Sequence, residues 1–196
     1  MNGMTEFRLH GRGGQGIVAA AAVFAEAVFR EGRYAWAFSL FGAERRGAPV
    51  TAFIRVSDSP LMPRCRVYRP DYVAVLDVTL GGSAVRSGLK EGGALLINAP
   101  DSQNAASLME ELNPDGAIKL YTVNATAIAV KHNLTIGGFP MVNTVIIGAL
   151  ARICGLAGLA SIEEAVARRV SSRREDNLKA AAEGFAAVRE VSGHER

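Results

Sequence analysis

The chain has 196 residues, 49% hydrophobic and 21% charged, a composition that supports one well-packed domain and excludes a disordered chain. A formal net charge of +3 is too small to signal a nucleic-acid surface, although the basic residues are lopsided, 18 Arg against 4 Lys, and Arg makes planar, two-pronged bonds to carboxylates and phosphates. The two cysteines, Cys65 and Cys154, supply neither a zinc nor an iron–sulfur ligand set and argue against a disulfide scaffold, so a reducing cytoplasm is expected. The first residues show no signal-peptide pattern. The longest apolar stretch, 17–28, is broken by Glu26 and is too short to span a bilayer, so no membrane association is expected.

In chain order, residues 7–10 read as a strand, followed by a turn, Gly11-Arg12-Gly13-Gly14-Gln15-Gly16. Residues 17–30 form an Ala-rich helix stopped at Gly32, and residues 34–38 a second strand. A polar loop over 40–49 leads to a strand at 50–56 and to turn chemistry at 57–60. Residues 72–76 are almost entirely apolar, as in a buried parallel strand. Strands follow at 94–97 and 118–123, with a helix at 102–112 between them. Asn124 is placed to cap a helix over 125–131. Residues 142–154, apolar nearly all round, predict a buried or interface helix. Ser161 and Glu164 have capping-box spacing, and a last helix is expected over about 175–191. The expected fold is a single α/β domain over 1–196. It is a three-layer α/β/α sandwich with a mostly parallel or mixed sheet, a Rossmann-like opening and C-terminal helices, about 141–191, packed on it. The long path from residue 50 to residue 72 leaves room for an antiparallel strand.

Gly11, Gly13 and Gly16 match G-x-G-x-x-G between a strand and a helix. Such glycines let a phosphate approach backbone N–H groups at a helix start, or simply allow tight helix–strand packing. A dinucleotide site also needs an acid at the end of the second strand, where this chain has Ala37-Phe38-Ser39-Leu40. No GxxxxGK[ST] loop is present. Next comes an arginine-rich stretch. From Arg45 to Arg69 there are six arginines and one acid, Asp58, a pattern suited to clamping a phosphorylated ligand or docking an acidic partner surface. His10, His132 and His194 are scattered and read as surface or core residues.

Taken together, several motifs resemble the γ subunit of the pyruvate and 2-oxoacid:ferredoxin (acceptor) oxidoreductases. They are the GRGGQG turn, Tyr34-Ala35-Trp36-Ala37-Phe38, and Phe41-Gly42-Ala43-Glu44-Arg45-Arg46-Gly47-Ala48-Pro49-Val50. The likeness continues through Pro70-Asp71-Tyr72-Val73-Ala74-Val75-Leu76-Asp77, Gly88-Leu89-Lys90-Glu91-Gly92-Gly93, Asn143-Thr144-Val145-Ile146-Ile147-Gly148-Ala149-Leu150 and Ser161-Ile162-Glu163-Glu164-Ala165, about residues 7 to 190 in all. The resemblance implies a complex that oxidatively decarboxylates a 2-oxoacid to its acyl-CoA and passes electrons through iron–sulfur clusters to ferredoxin or another acceptor. Thiamine diphosphate, Mg2+ and [4Fe-4S] clusters are then held by sibling α, β and cluster-bearing subunits. This chain would hold none of them, carry no catalytic residue and bind no metal. The resemblance also implies contacts to phosphate or coenzyme A from Gly11, Arg12, Gly13, Gly14, Gln15, Gly16, Arg45 and Arg46, with Asn143 either joining them or serving as a helix N-cap. Pyruvate is the commonest substrate of relatives with this loop, and branched-chain and aromatic acids such as phenylglyoxylate and indolepyruvate belong to close relatives. Phe41-Gly42-Ala43 and Gly137-Gly138-Phe139 depart from the family pattern and bear on substrate identity. Two further readings stand beside this one: a self-sufficient Rossmann-like nucleotide-binding oxidoreductase, and a purely structural subunit.

Overall fold

The computed structural model describes residues 3–41, 47–60, 63–80, 82–100 and 105–191. The chain runs through β1 (Thr5–Arg12), α1 (Ile17–Arg30), β2 (Tyr34–Phe41), β3 (Pro49–Ser57), β4 (Tyr72–Val75), α2 (Gly82–Arg86), β5 (Ala94–Asn98), α3 (Ala105–Leu112), β6 (Lys119–Val123) and α4 (Ala125–Lys131). A small hairpin, β7 (Thr135–Ile136) and β8 (Phe139–Pro140), then leads to α5 (Asn143–Cys154), α6 (Leu159–Arg169), α7 (Arg174–Ala187) and β9 (Arg189–Glu190). Seven strands form one sheet in the order β2-β3-β1-β4-β5-β6-β9. β1, β4, β5 and β6 are parallel, β3 is antiparallel to both β1 and β2, and β9 is antiparallel to β6.

Strand alternation divides the core. Phe7, Leu9, Ala74, Leu76 and Leu96 face α1 and the C-terminal helices, while Val73, Val75, Leu95 and Ile97 face α2 and α3. That is why residues 72–76 read as continuously apolar: both faces of β4 are covered. The expected three-layer mixed fold is present. Its strand–turn–helix opening is present too, but β2 does not lie beside β1. β2 and β3 form an antiparallel pair, and β3 takes the position next to β1. The sheet is mixed because β3, the strand expected at 50–56, runs antiparallel; the described residues between β3 and β4 add no further strand.

Three local expectations need correction. Gly11 and Arg12 are not part of the turn; they continue β1, opposite Val50 and Pro49. The capping box does not form. α6 starts at Leu159 with Gly158 as its cap, and Ser161 lies inside the helix. Glu31, just past α1, accepts bonds from Gly158 N at 2.8 Å and Ser161 Oγ at 2.6 Å. A carboxylate from beyond the end of α1 therefore holds the cap residue and the Ser161 hydroxyl, and these two bonds hold its pKa below the ordinary value. The last helix ends at Ala187, and the chain turns extended to add β9 beside β6. Both departures depend on long-range partners that periodicity does not encode.

α5 is the central helix of the thicker layer, with every residue from Asn143 to Ala151 buried. It touches α7 backbone to backbone. A Cβ on Gly148 would lie 2.0 Å from the Ala181 carbonyl oxygen, and one on Gly184 would lie 2.3 Å from that of Val145. This contact also fixes the N-terminal end of α5, where Asn143 sits. Gly148→Ala is expected to cost about 3 kcal/mol by overpacking, read by urea unfolding. A loss below about 0.5 kcal/mol, the range of an ordinary surface change, would contradict the close contact.

Candidate functional site

The carboxyl ends of parallel strands are where open α/β sheets gather ligands, at the point where successive connections leave in opposite directions. Here that point lies between β1, whose connection leads toward β2, and β4, whose connection leads toward β5. Its walls are the turn after β1 and the segment after β4. Arg12 bridges them: Nε donates to Asp77 Oδ2 at 3.1 Å, Nη2 to Thr79 Oγ1 at 2.8 Å and Nη1 to the Gly47 carbonyl at 3.1 Å. Gln15 donates to the same Asp77 oxygen at 3.1 Å and accepts from Arg12 N at 2.7 Å. Thr79 completes Asp77 through its N–H and its hydroxyl, at 3.0 and 2.6 Å. Burial works against the charge on Asp77. The bonds from Thr79 and Gln15 and the charge of Arg12 outweigh it and hold the carboxyl below its ordinary pKa.

The stem of the loop between β2 and β3 is tied to the same turn. Gly13 N donates to the Ala48 carbonyl at 2.8 Å, and Gly47 N donates to the Gly13 carbonyl at 3.0 Å. Arg45 and Arg46 lie outside the described residues; Gly47 and Ala48, which follow them, are bonded to the glycine turn. A cleft of about 340 Å³ opens there, lined by Arg12, Gly13, Gly14, Gln15, Gly47, Asp77, Phe139 and Pro140. It adjoins a second hollow of about 350 Å³ that shares Gln15 and Asp77 with it and reaches Asn98, Asn124 and Thr126.

Gly14 and Gly16 both have positive φ, 97° and 74°. α1 begins at Ile17 with no side-chain cap and no acid in its first turn, and the same is true of α5. The two N-termini meet. A Cβ on Gly16 would lie 2.6 Å from Asn143 Nδ2, so this position requires glycine for space as well as for conformation. Asn143 is not a cap, since Val142 holds that position. Its side chain is buried at 8% exposure, and its Oδ1 has no hydrogen-bond partner. Asn124 does cap α4 as expected, accepting from Ala127 N at 3.1 Å.

The sequence reading thus placed Gly13 to Gly16, Arg12 and Asn143 at one spot, and the structure brings them together. It missed Asp77, Thr79 and Pro140, and named Phe139 only as a departure from the family pattern. Asp77 had a usable signal, an acid closing a buried parallel strand. The β7–β8 hairpin had a Gly137-Gly138 turn, but its packing over the glycine loop is tertiary.

A family model for pyruvate ferredoxin/flavodoxin oxidoreductase matches residues 6–187. The chain belongs to this family. The "Pyruvate/ketoisovalerate oxidoreductases common subunit gamma" of Thermococcus kodakarensis is 46% identical over 184 residues, 93% of this chain and 96% of that protein. The "Pyruvate synthase subunit PorC" of Methanocaldococcus jannaschii is 43% identical over 180 residues, 91% and 93% of the two chains. Among solved structures, the pyruvate oxidoreductase subunit PORC of Thermotoga maritima superposes with a TM-score of 0.81 at 33% identity, covering 96% of this chain and 99% of that one. Within the pyruvate ferredoxin/flavodoxin oxidoreductase family, the chain is therefore a γ-type subunit of a multi-subunit enzyme.

Two residues before Arg12, His10 accepts from Arg8 Nε at 2.9 Å, and Arg8 Nη2 also reaches the carbonyls of Val85 and Ser87. Burial first, and then the Arg8 charge, push the His10 pKa down to about 4 from 6.5. The unfolded chain takes up this proton first as pH falls, so stability drops from pH 6.5 and levels off near pH 4, by about 3 kcal/mol in all. His10→Gln keeps an acceptor for Arg8 without titrating, and is expected to flatten this part of the unfolding free energy against pH. An unchanged slope in the variant would refute the assignment.

Proposed function

We propose that this γ subunit works within a thiamine-diphosphate- and iron–sulfur-dependent complex that oxidatively decarboxylates a 2-oxoacid to its acyl-CoA, and that its carboxyl-edge cleft receives the diphosphate end of coenzyme A. The names of its relatives favour pyruvate or a branched-chain acid over an aromatic one. The observation that carries the cleft assignment is the meeting, next to Gly14 and Gln15 of the cleft wall, of two helix N-termini without side-chain caps, at Gly16 and Asn143. Free backbone N–H groups and the positive ends of two helix dipoles favour an anion there. Gly14, without a side chain, lets the anion approach the backbone.

Arg12 is a positioning residue in this reading. Three of its N–H groups are committed to Asp77, Thr79 and Gly47, so it shapes the turn and has N–H groups to spare on Nη1 and Nη2 only. Arg45 and Arg46 precede Gly47, which lines the cleft, and in this reading they contribute charge to the same phosphates. When bound on the sibling subunits, thiamine diphosphate supplies the carbon–carbon cleavage. This chain's own part is to orient the thiol-bearing substrate.

A self-sufficient dinucleotide enzyme is disfavoured by the strand order. The acid that holds a ribose sits at the end of the strand adjacent to the glycine turn's own strand. In this fold the neighbouring parallel strand, β4, is followed by Asp77, whose two oxygens are already committed to Arg12, Gln15 and Thr79.

The isolated chain is expected to oxidise no 2-oxoacid, whereas co-expression with its sibling subunits gives a purified complex that does. Pyruvate oxidation by the chain alone would contradict the proposal. In that complex, Asn143→Ala is expected to raise KM for coenzyme A about tenfold, a change of about 1.4 kcal/mol. KM for pantetheine, which lacks the diphosphate, stays as it was. Equal effects on both thiols, or none on either, would count against a diphosphate site.

A further inference from the structure

The arginine-rich stretch is not used up by the cleft. Its second half, Pro63-Arg64-Cys65-Arg66-Val67-Tyr68-Arg69, lies at the opposite edge of the sheet, past the end of β3. Arg55 of β3, 3% exposed, holds this segment from within. Nε pairs with Glu6 Oε1 at 2.8 Å, Nη1 donates to the carbonyls of Pro63 and Cys65, and Nη2 donates to Cys65 Sγ and to the carbonyl of Arg66. Val67 is plugged into the protein at 2% exposure. Gly88 presses on the Tyr68 carbonyl, where a Cβ would lie 2.1 Å away, and Lys90 N holds the Pro70 carbonyl at 3.0 Å.

The backbone is thus fixed at four points while the side chains of Arg64, Arg66, Tyr68 and Arg69 point to solvent, Tyr68 at 71% exposure. None of the three arginines has a carboxylate partner among the described residues, and the nearby acids are in use: Glu6 on Arg55, Asp58 on Arg33 and Asp71 on Lys90. An aromatic row continues the surface. Trp36 stands opposite Arg55 in the β2–β3 pairing, and Trp36, Phe38 and Phe53 stack at 4.5 and 5.0 Å on the face of these strands away from α1. Trp36 and Phe38 remain part-exposed on an edge strand. Arginine and large aromatics on a pre-shaped backbone are the composition of interface hot spots, and a rigid loop loses little entropy on docking.

We propose that residues 63–69, with the adjoining Trp36–Phe38 edge, form a docking surface for an acidic, carboxylate-rich face of a sibling subunit in the same complex. This rests on the γ-subunit reading and adds to it where on the chain the complex is held and by what chemistry. Charge complementarity selects the occupant: the charged side chains that residues 63–69 expose are all arginines, and arginine forks suit carboxylates.

The test uses the full complex. Arg64→Glu/Arg66→Glu/Arg69→Glu changes only exposed side chains, so the chain's own melting temperature should be kept, while its affinity for the sibling subunits falls on the order of 10- to 100-fold. The lysine triple at the same positions should retain assembly at low salt, with a steeper loss as salt rises. Carbodiimide should then link its new amines to carboxylates of a sibling chain. Wild-type affinity and salt dependence in the glutamate triple would overturn the proposal. So would unchanged assembly together with lost binding of a mixed-sequence RNA 20-mer, which would make this a nucleic-acid surface. If the wild-type chain fails to assemble at all, the γ-subunit reading falls with it, an outcome distinct from the failure of the triple variant alone.

Discussion

The Arg12–Asp77 pair is the junction on which the candidate site depends. It joins the turn after β1 to the end of β4, across the one place where the sheet's connections diverge, and through the Gly47 carbonyl it also takes in the stem of the β2–β3 loop. Three segments distant in sequence are held by one guanidinium and one carboxylate, both partly shielded, with Gln15 and Thr79 filling the remaining valences. Half-buried charge-assisted bonds of this kind are stronger than surface pairs because water competes less well. The glycine turn therefore has a defined shape before any ligand arrives.

Two arginines of β1 and one of β3 show how this chain uses its lopsided basic content. Arg8 closes over the end of α2 and is met by a neutral histidine. Arg12 ties the cleft. Arg55 gathers the carbonyls of the loop after β3. In each case the guanidinium's fixed planar set of five donors reaches acceptors in several directions, a geometry the compact ammonium of a lysine does not offer. Arg64, Arg66 and Arg69, on the loop at 63–69, do no such internal work.

Much of this was legible in the sequence. The helices at 17–30 and 125–131 follow from Ala-rich composition and, in the second, from Asn124 at the cap. The covered strand β4 follows from its unbroken apolar run. The glycine turn and Asn143 were singled out, and they do meet. What the sequence did not show shares a common cause. The insertion of β3 beside β1, the return of residues 189–190 to the sheet and the bonds from Gly158 and Ser161 to Glu31 are pairings across the fold. Each satisfies backbone groups that local pattern leaves open. Asn143 was ambiguous for the same reason. A polar residue at a helix start reads as a cap until the structure puts Val142 in that position and leaves the Asn143 oxygen unpartnered.

The central claim is that the carboxyl-edge cleft of this subunit takes the diphosphate of coenzyme A in the assembled enzyme. A structure of the purified complex with coenzyme A bound tests it most directly. The account predicts diphosphate density at the backbone of residues 14–17, within hydrogen-bonding reach of the Asn143 amide. Coenzyme A bound elsewhere, with the cleft filled by side chains of a sibling subunit, would contradict it.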